Sequence, residues 1–261
     1  MEREQYIIRP IAHVQSDYNE KFGIPRQCGL VSELESRIVI DPEFSNADAL
    51  REILGFTYIW LIWGFSANSV DMTEETVRWS PTVRPPRLGG GRRVGVWASR
   101  SPYRPNSLGM SSVKLERVEI GGRTAGPDDL KGMQTEELAL IVSGADIKNG
   151  TPIFDIKPYM PYSDSHPEAG NGFSPGAGDE LLEVRFPEAL LDKVDEKKRA
   201  GLIKVLALDP RGAYEKKEGY SYGLSFADMD IRFIVDGNVL TVTDVLTSEQ
   251  ALRNREKGID R

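Results

Sequence analysis

Thr57-Tyr58-Ile59-Trp60-Leu61-Ile62-Trp63 is an unbroken run of β-branched, aromatic and aliphatic side chains. A stretch of that length and chemistry predicts a buried β-strand. Similar signals recur on both sides of it. Upstream, Arg37–Ile40 is a short strand, and Tyr6–Gln15, broken by Pro10, reads as an opening edge strand. Asn46 is a plausible N-cap for a helix running through Leu54 and ended by Gly55. Downstream, Val94–Ala98, Ser112–Ile120, Leu138–Ser143 and Ile153–Ile156 add four strands. Strand after strand with turn residues between them and few helices predicts a mainly β fold, a barrel or a sandwich.

The composition shifts after Tyr159. Pro161–Asp179 is rich in Pro, Gly, Ser and Asp and reads as a linker or long surface loop. Pro187–Leu208 has helical periodicity. Gly223–Phe226, Asp230–Val235 and Val239–Val245 form a small antiparallel set turned by Asp236-Gly237-Asn238. The expected organisation is a β-barrel domain over residues 1–160 and a small α+β domain over 161–261.

With 39% hydrophobic and 28% charged residues, the 261-residue chain has ordinary globular composition. Its most apolar stretch, Tyr58–Phe65, is too short to span a bilayer. The charged start, Met1-Glu2-Arg3-Glu4-Gln5, is no signal peptide. One cysteine, Cys28, excludes an internal disulfide, and with His13 and His166 as the two histidines no metal site is expected. These features predict a cytoplasmic protein.

The net charge of −7 argues against a polyanionic partner until its distribution is considered. No acidic residue lies between Glu75 and Glu116, while Arg78, Arg84, Arg87, Arg92, Arg93, Arg100, Arg104 and Lys114 do; without those eight cations the rest of the chain carries −15. A basic centre on an acidic chain suggests a focused anionic ligand, although an arginine-rich loop could equally make structural salt bridges.

The segment Thr82-Val83-Arg84-Pro85-Pro86-Arg87-Leu88-Gly89-Gly90-Gly91, followed by Arg93–Gly109, is dense in arginine, proline and glycine. Proline fixes φ and removes a donor. A stiff backbone reduces the entropy lost when a guanidinium engages phosphate or carboxylate. Trp97 and Tyr103 stand nearby for base stacking. Asn149-Gly150-Thr151-Pro152 reads as a turn feeding a strand, and Pro25-Arg26-Gln27 as a polar pair on a rigid loop. No GxGxxG, P-loop, HExxH or GxSxG pattern is present.

Taken together, FGIPRQ at 22–27, TVRPPRLGG at 82–90, RVGVWASRSPYRPN at 93–106 and NGTPIFDIKPY at 149–159 resemble the TrmO family of tRNA adenine N6-methyltransferases. Asp209-Pro210-Arg211-Gly212-Ala213-Tyr214 is similar to that family's DPRPAY element. The resemblance implies a β-barrel that binds S-adenosyl-L-methionine (SAM) and works as a homodimer. The implied reaction is methylation of N6-threonylcarbamoyladenosine at position 37 of tRNA. It also implies SAM contacts from Pro25, Arg26, Gln27, Ser66, Ala67, Arg100, Met110, Asn149, Gly150, Thr151 and Pro152. Arg84, Arg87, Tyr103 and Arg104 are the candidates for the RNA or the modified base, and no catalytic base is assigned. Four positions depart from the family pattern: Cys28 stands where proline is usual, Ser107 ends the RPNP element, Asn149 replaces an aspartate, and a histidine usual near Ser66 is missing.

Two other readings stay open on the residues alone. One is a non-catalytic SAM- or RNA-binding barrel, the other a SAM methyltransferase acting on a small metabolite. The cations Lys197, Lys198, Arg199, Lys204, Arg211, Lys216 and Lys217 could hold the tRNA body or could form a solvated helix face.

Overall fold

The computed structural model describes residues 6–65, 79–85, 92–174, 181–212, 217 and 219–256. Six antiparallel strands close a barrel: β1 (Ala12–Gln15), β2 (Glu35–Ile40), β3 (Tyr58–Gly64), β6 (Leu108–Ile120), β8 (Leu138–Ser143) and β9 (Pro152–Pro158). Their order is β3-β9-β1-β2-β8-β6, and β6 returns to β3. A two-stranded ribbon, β4 (Thr82–Val83) with β5 (Val94–Gly95), lies outside the ring, and β7 (Arg123–Ala125) extends β6 at its far end.

Closure depends on β6. Its first half pairs with β3 from Leu108 to Lys114, and its second half pairs with β8 from Lys114 to Ile120. The ladder shifts register between Leu115 and Arg117, and such a bulge bends a strand enough to serve two neighbours. Alternation then fills the inside: Ile59, Leu61 and Trp63 of β3 meet Val113, Leu115 and Val118 of β6 and Ile153 of β9 in one buried cluster. All six residues of β8 are buried, because both of its faces are covered.

Several local expectations change. The first strand is only Ala12–Gln15 and is not an edge, since it pairs with both β2 and β9. Pro10 sits before it, where its missing donor costs no ladder bond, and barrel closure abolishes the edge. Residues 46–54 form two 3-10 turns, Ala47–Leu50 and Ile53–Gly55, instead of a helix. Asn46 does cap the first, accepting from the Asp48 N–H at 3.0 Å. Glu52, at φ 64°, breaks the run so that Ala47 and Leu50 can bury into the barrel. Val94–Ala98 is a strand only through Gly95; residues 96–98 then make a 3-10 turn.

A second core gathers α3 (Glu196–Ala207) and a four-stranded sheet made of β10 (Glu183–Arg185), β11 (Tyr222–Phe226), β12 (Met229–Asp236) and β13 (Val239–Thr247), in the order β10-β13-β12-β11. Short helices α1 (Pro161–Asp164), α2 (Glu188–Leu191) and α4 (Ser248–Glu256) complete the described elements. The expected helix over 187–208 is split, because Val194 turns into the core and Asp195 re-caps the chain through the Lys197 N–H. Tyr18, Val31 and Leu34, from the loop between β1 and β2, are buried in this second core. Lys198 bonds Asp17 and Lys204 bonds Glu33 of the same loop. No helix among the described residues is long and apolar enough to cross a membrane.

Candidate functional site

Strand direction decides which loops meet. The pairs Gly64 with Leu108, His13 with Pro152, Gln15 with Arg37 and Glu35 with Ser143 all lie at one mouth of the barrel. The connections 16–34, 65–107 and 144–151 therefore leave from that mouth, and they carry every motif singled out before residue 152. The opposite mouth is closed by the 3-10 turns and Leu130. A cavity of about 550 Å³ opens there, lined by Arg51, Glu52, Leu54 and Lys131 among others. The motif loops contribute nothing to it, so its size carries no weight against the motif mouth.

At the motif mouth the loops are tied by hydrogen bonds. The Gly29 N–H donates to the Gly144 carbonyl at 2.8 Å. These two glycines, at φ 79° and 76°, approach so closely that a Cβ on Gly144 would lie 3.2 Å from the Gly29 Cα. The Asn149 and Gly150 N–H groups donate to the Tyr18 and Val14 carbonyls, each at 2.8 Å. The third loop joins through Arg100, whose Nη1 donates to Gln27 Oε1 at 2.5 Å.

A carboxylate that the sequence reading passed over lies among these groups. Asp146 Oδ1 accepts from Ser111 Oγ at 2.7 Å, and that hydroxyl accepts from Trp63 Nε1 at 3.1 Å. Burial pushes the Asp146 carboxyl above the usual range, while the Ser111 bond, backbone N–H groups and the Arg100 charge pull it back. The adjacent Cys28 thiol is raised too, by burial first and by the Asp146 charge second, which makes it a poor nucleophile at neutral pH. The available signal was one acid in the otherwise apolar run Leu138–Ile147, just ahead of a turn.

The expected site residues divide. Gln27, Arg100 and the loop leading to Asn149 come together. Pro25 and Arg26 instead line a crevice of about 40 Å³ with Val205, Leu208, Asp209 and Pro210, so FGIPRQ faces the second core with its first half and the mouth with Gln27. The Asn149 side chain braces the β1 loop, accepting from the Ser16 N–H at 3.3 Å and donating to Asn19 at 3.4 Å. Thr151 is buried at the foot of the turn, and Pro152 starts β9. Met110 is 59% exposed on the outer wall of β6, opposite in alternation to Gly109 and Ser111. Arg104 Nη1 bonds the Ser99 and Ser101 carbonyls, at 2.9 and 3.5 Å, and thereby stiffens its own loop. Arg84 and Tyr103 are exposed. Ser66, Ala67 and Arg87 lie outside the described residues.

The TrmO N-terminal domain model matches residues 13–165, and the TrmO C-terminal domain model matches residues 179–248. The chain belongs to the TrmO family. It is 34% identical over 235 residues to a tRNA (adenine(37)-N6)-methyltransferase of Escherichia coli K12, covering 86% of this chain and 91% of that protein. The same identity and length relate it to a Pseudomonas aeruginosa protein described as a putative S-adenosylmethionine-dependent methyltransferase, with 87% and 91% covered. A solved TrmO structure from Pseudomonas aeruginosa superposes with a TM-score of 0.68 at 28% identity, over 93% of this chain and 99% of that one.

Asp146 and Arg100 set one acid and one guanidinium beside the Gln27 amide at the mouth of this TrmO-family barrel. Outside the mouth, the described salt bridges include none to Arg84, Arg92, Arg93 or Arg104. Two of the C-terminal cations, by contrast, are already engaged by loop 16–34, and Arg211 is buried against Asp209.

Proposed function

We propose that this chain is a SAM-dependent methyltransferase acting on N6 of adenosine 37 in tRNA, with N6-threonylcarbamoyladenosine as its substrate. The observation that carries the reading is the meeting of three motif loops at one mouth, where Gln27 and Asp146 meet Arg100 of the acid-free, arginine-rich segment. Its relatives' names supply the reaction class. We further assign residues 1–160 to the cofactor-binding domain and 161–261 to a domain that supports it and the RNA, in a cytoplasmic homodimer.

When bound, SAM supplies a methyl group already activated on a sulfonium. The chain's contribution is alignment and exclusion of water. The Asp146 carboxylate, held in place by Ser111, attracts the positive centres of the cofactor, and the Arg100 guanidinium its carboxylate. Gln27 fixes the Arg100 fork, so its donors need no reorganisation on binding. The turn at Asn149–Pro152 acts through its backbone, pinned to β1. Trp63 and Phe65, in edge contact with ring centroids 4.5 Å apart, form an apolar wall at the same mouth. We assign the threonylcarbamoyl carboxylate and the neighbouring phosphates to Arg84 and Arg87, name Tyr103 as a further candidate for the modified base, and give Arg104 a loop-stiffening role.

The deciding experiment is incorporation of labelled methyl from SAM into tRNA carrying threonylcarbamoyladenosine, beside the same tRNA lacking that group. Label confined to the modified RNA is expected. No label in either RNA, with SAM binding confirmed by calorimetry, would sink the reading.

A further inference from the structure

Trp79 and Trp97 lie stacked, with centroids 6.1 Å apart and planes 17° from parallel, yet they are 44% and 74% exposed. Two indoles open to water at one spot lose hydrophobic stabilisation that burial would recover. Their positions are built. Val96 is buried and its N–H donates to the Pro81 carbonyl at 3.0 Å, which anchors the 3-10 turn that turns Trp97 outward. Ser99 closes the turn, its N–H and Oγ both bonding the Val96 carbonyl. Trp79 is fixed through its neighbour Ser80, whose N–H donates to the Tyr103 carbonyl at 3.1 Å and whose Oγ donates to the Thr82 carbonyl at 2.7 Å. The β4–β5 ribbon and these bonds thus fix the backbone that presents both rings, which reduces the ordering cost of binding.

The surroundings indicate what the platform takes. Arg84, Arg92 and Arg93 are exposed on the same loops, none in a described salt bridge, and residues 76–115 contain no acid. Arg93 is steered by a 2.8 Å bond to Thr82 Oγ1. An apolar protein patch or a neutral lipid surface would use the indoles but would leave these guanidinium groups without a matching charge. An unpaired nucleotide satisfies both, with a flat base on the indole face and a phosphate on the guanidinium groups.

We infer that Trp97, backed by Trp79, is a stacking subsite for an unpaired base of the RNA loop, separate from the barrel mouth that holds the reacting groups. This rests on the tRNA reading above and adds where a neighbouring base is held. Stacking on Trp97 extends the indole column by one ring, and Arg84, Arg92 and Arg93 carry the adjoining backbone.

The test uses the full-length protein with an anticodon stem-loop RNA and, as control, a blunt duplex RNA of the same length. Binding of each is followed by fluorescence anisotropy for wild type, W97A, W97F and W79A. W97A should weaken stem-loop binding by about 5- to 150-fold, the range of one lost base–aromatic stack. W97F should retain most of the affinity, and binding to duplex and to SAM should not change. Equal stem-loop affinity in W97A and wild type overturns the inference. So does a change in oligomeric state, read by light scattering, which would make the indole pair a protein interface. Methyl incorporation by wild type is scored separately. If wild type methylates tRNA while W97A binds the stem-loop normally, only the subsite is wrong. If wild type fails to methylate any tRNA but the stem-loop effect stands, only the reaction is wrong.

Discussion

Replacing Arg211 by alanine should destabilise the protein severely, although the residue touches nothing at the barrel mouth. The Arg211 and Asp209 side chains are only 8% and 9% exposed. The guanidinium gives the carboxylate two charge-assisted bonds, Nε to Oδ1 at 2.7 Å and Nη2 to Oδ2 at 3.0 Å, and lies 5.9 Å over the Tyr222 ring of the second core. Alanine removes both side-chain bonds and the ring contact from a nearly dry ion pair, and breaking a buried pair by removing one partner costs about 3–5 kcal/mol. Against a total of about 5–15 kcal/mol this is a large share, and it corresponds to a fall in Tm of roughly 6–20 °C. The cost arises from breaking a buried ion pair, so it should depend on the charge at position 209. D209N in the R211A background should recover part of the loss, because asparagine carries no charge and tolerates the left-handed backbone that Asp209 holds at φ 53°. Urea unfolding of the single and double variants measures both effects. A loss under about 1 kcal/mol at pH 7, or a loss untouched by D209N, would refute the buried-ion-pair argument and return Arg211 to the pool of cations free to meet tRNA.

Three further outcomes follow from the site. D146N should leave the unliganded protein as stable as wild type or more so at pH 7. The burial-raised carboxyl destabilises the fold when ionised, and an amide oxygen can still accept from Ser111. The same change should weaken SAM binding by roughly 10- to 150-fold, the worth of a charged hydrogen bond, and calorimetry reads that directly. G109A places a Cβ 2.4 Å from the Trp63 ring, which its bond to Ser111 and its packing on Phe65 prevent from yielding. A loss of about 1–3 kcal/mol in thermal unfolding is expected, with a changed near-UV spectrum. Glu116, at the β6 bulge, is held below its ordinary value of 4.5 by the Ser143 hydroxyl and then by Lys114. Its contribution is complete above that value and fades as pH falls through the lower folded one, so E116Q should flatten the acid limb of a Tm-against-pH curve and differ from wild type most near neutrality.

Much of the fold was legible because its signals are local. Alternation and β-branching marked β3, β6, β8 and β9, and the Asp236-Gly237-Asn238 turn marked the β12–β13 hairpin, with Gly237 at φ 54°. The misread segments are those where burial overrode propensity. Ala47 and Leu50 had to plug a barrel mouth, which two 3-10 turns achieve and a straight helix does not. Val96 and Trp97 had to part to opposite sides, which ended β5 after Gly95.

The sequence by itself determined the family, the strand pattern and the acid-free arginine segment, since composition and motif order are properties of the chain alone. Only the tertiary structure decided which loops share a mouth, because that depends on strand direction and barrel closure. It brought Asp146 to Arg100 across 46 positions of sequence, turned Pro25 and Arg26 toward the second core, paired Lys198 and Lys204 with loop carboxylates and buried Arg211. A charge in a sequence is a potential partner for anything. What it meets is fixed when packing chooses its neighbours and removes the water that would otherwise screen it.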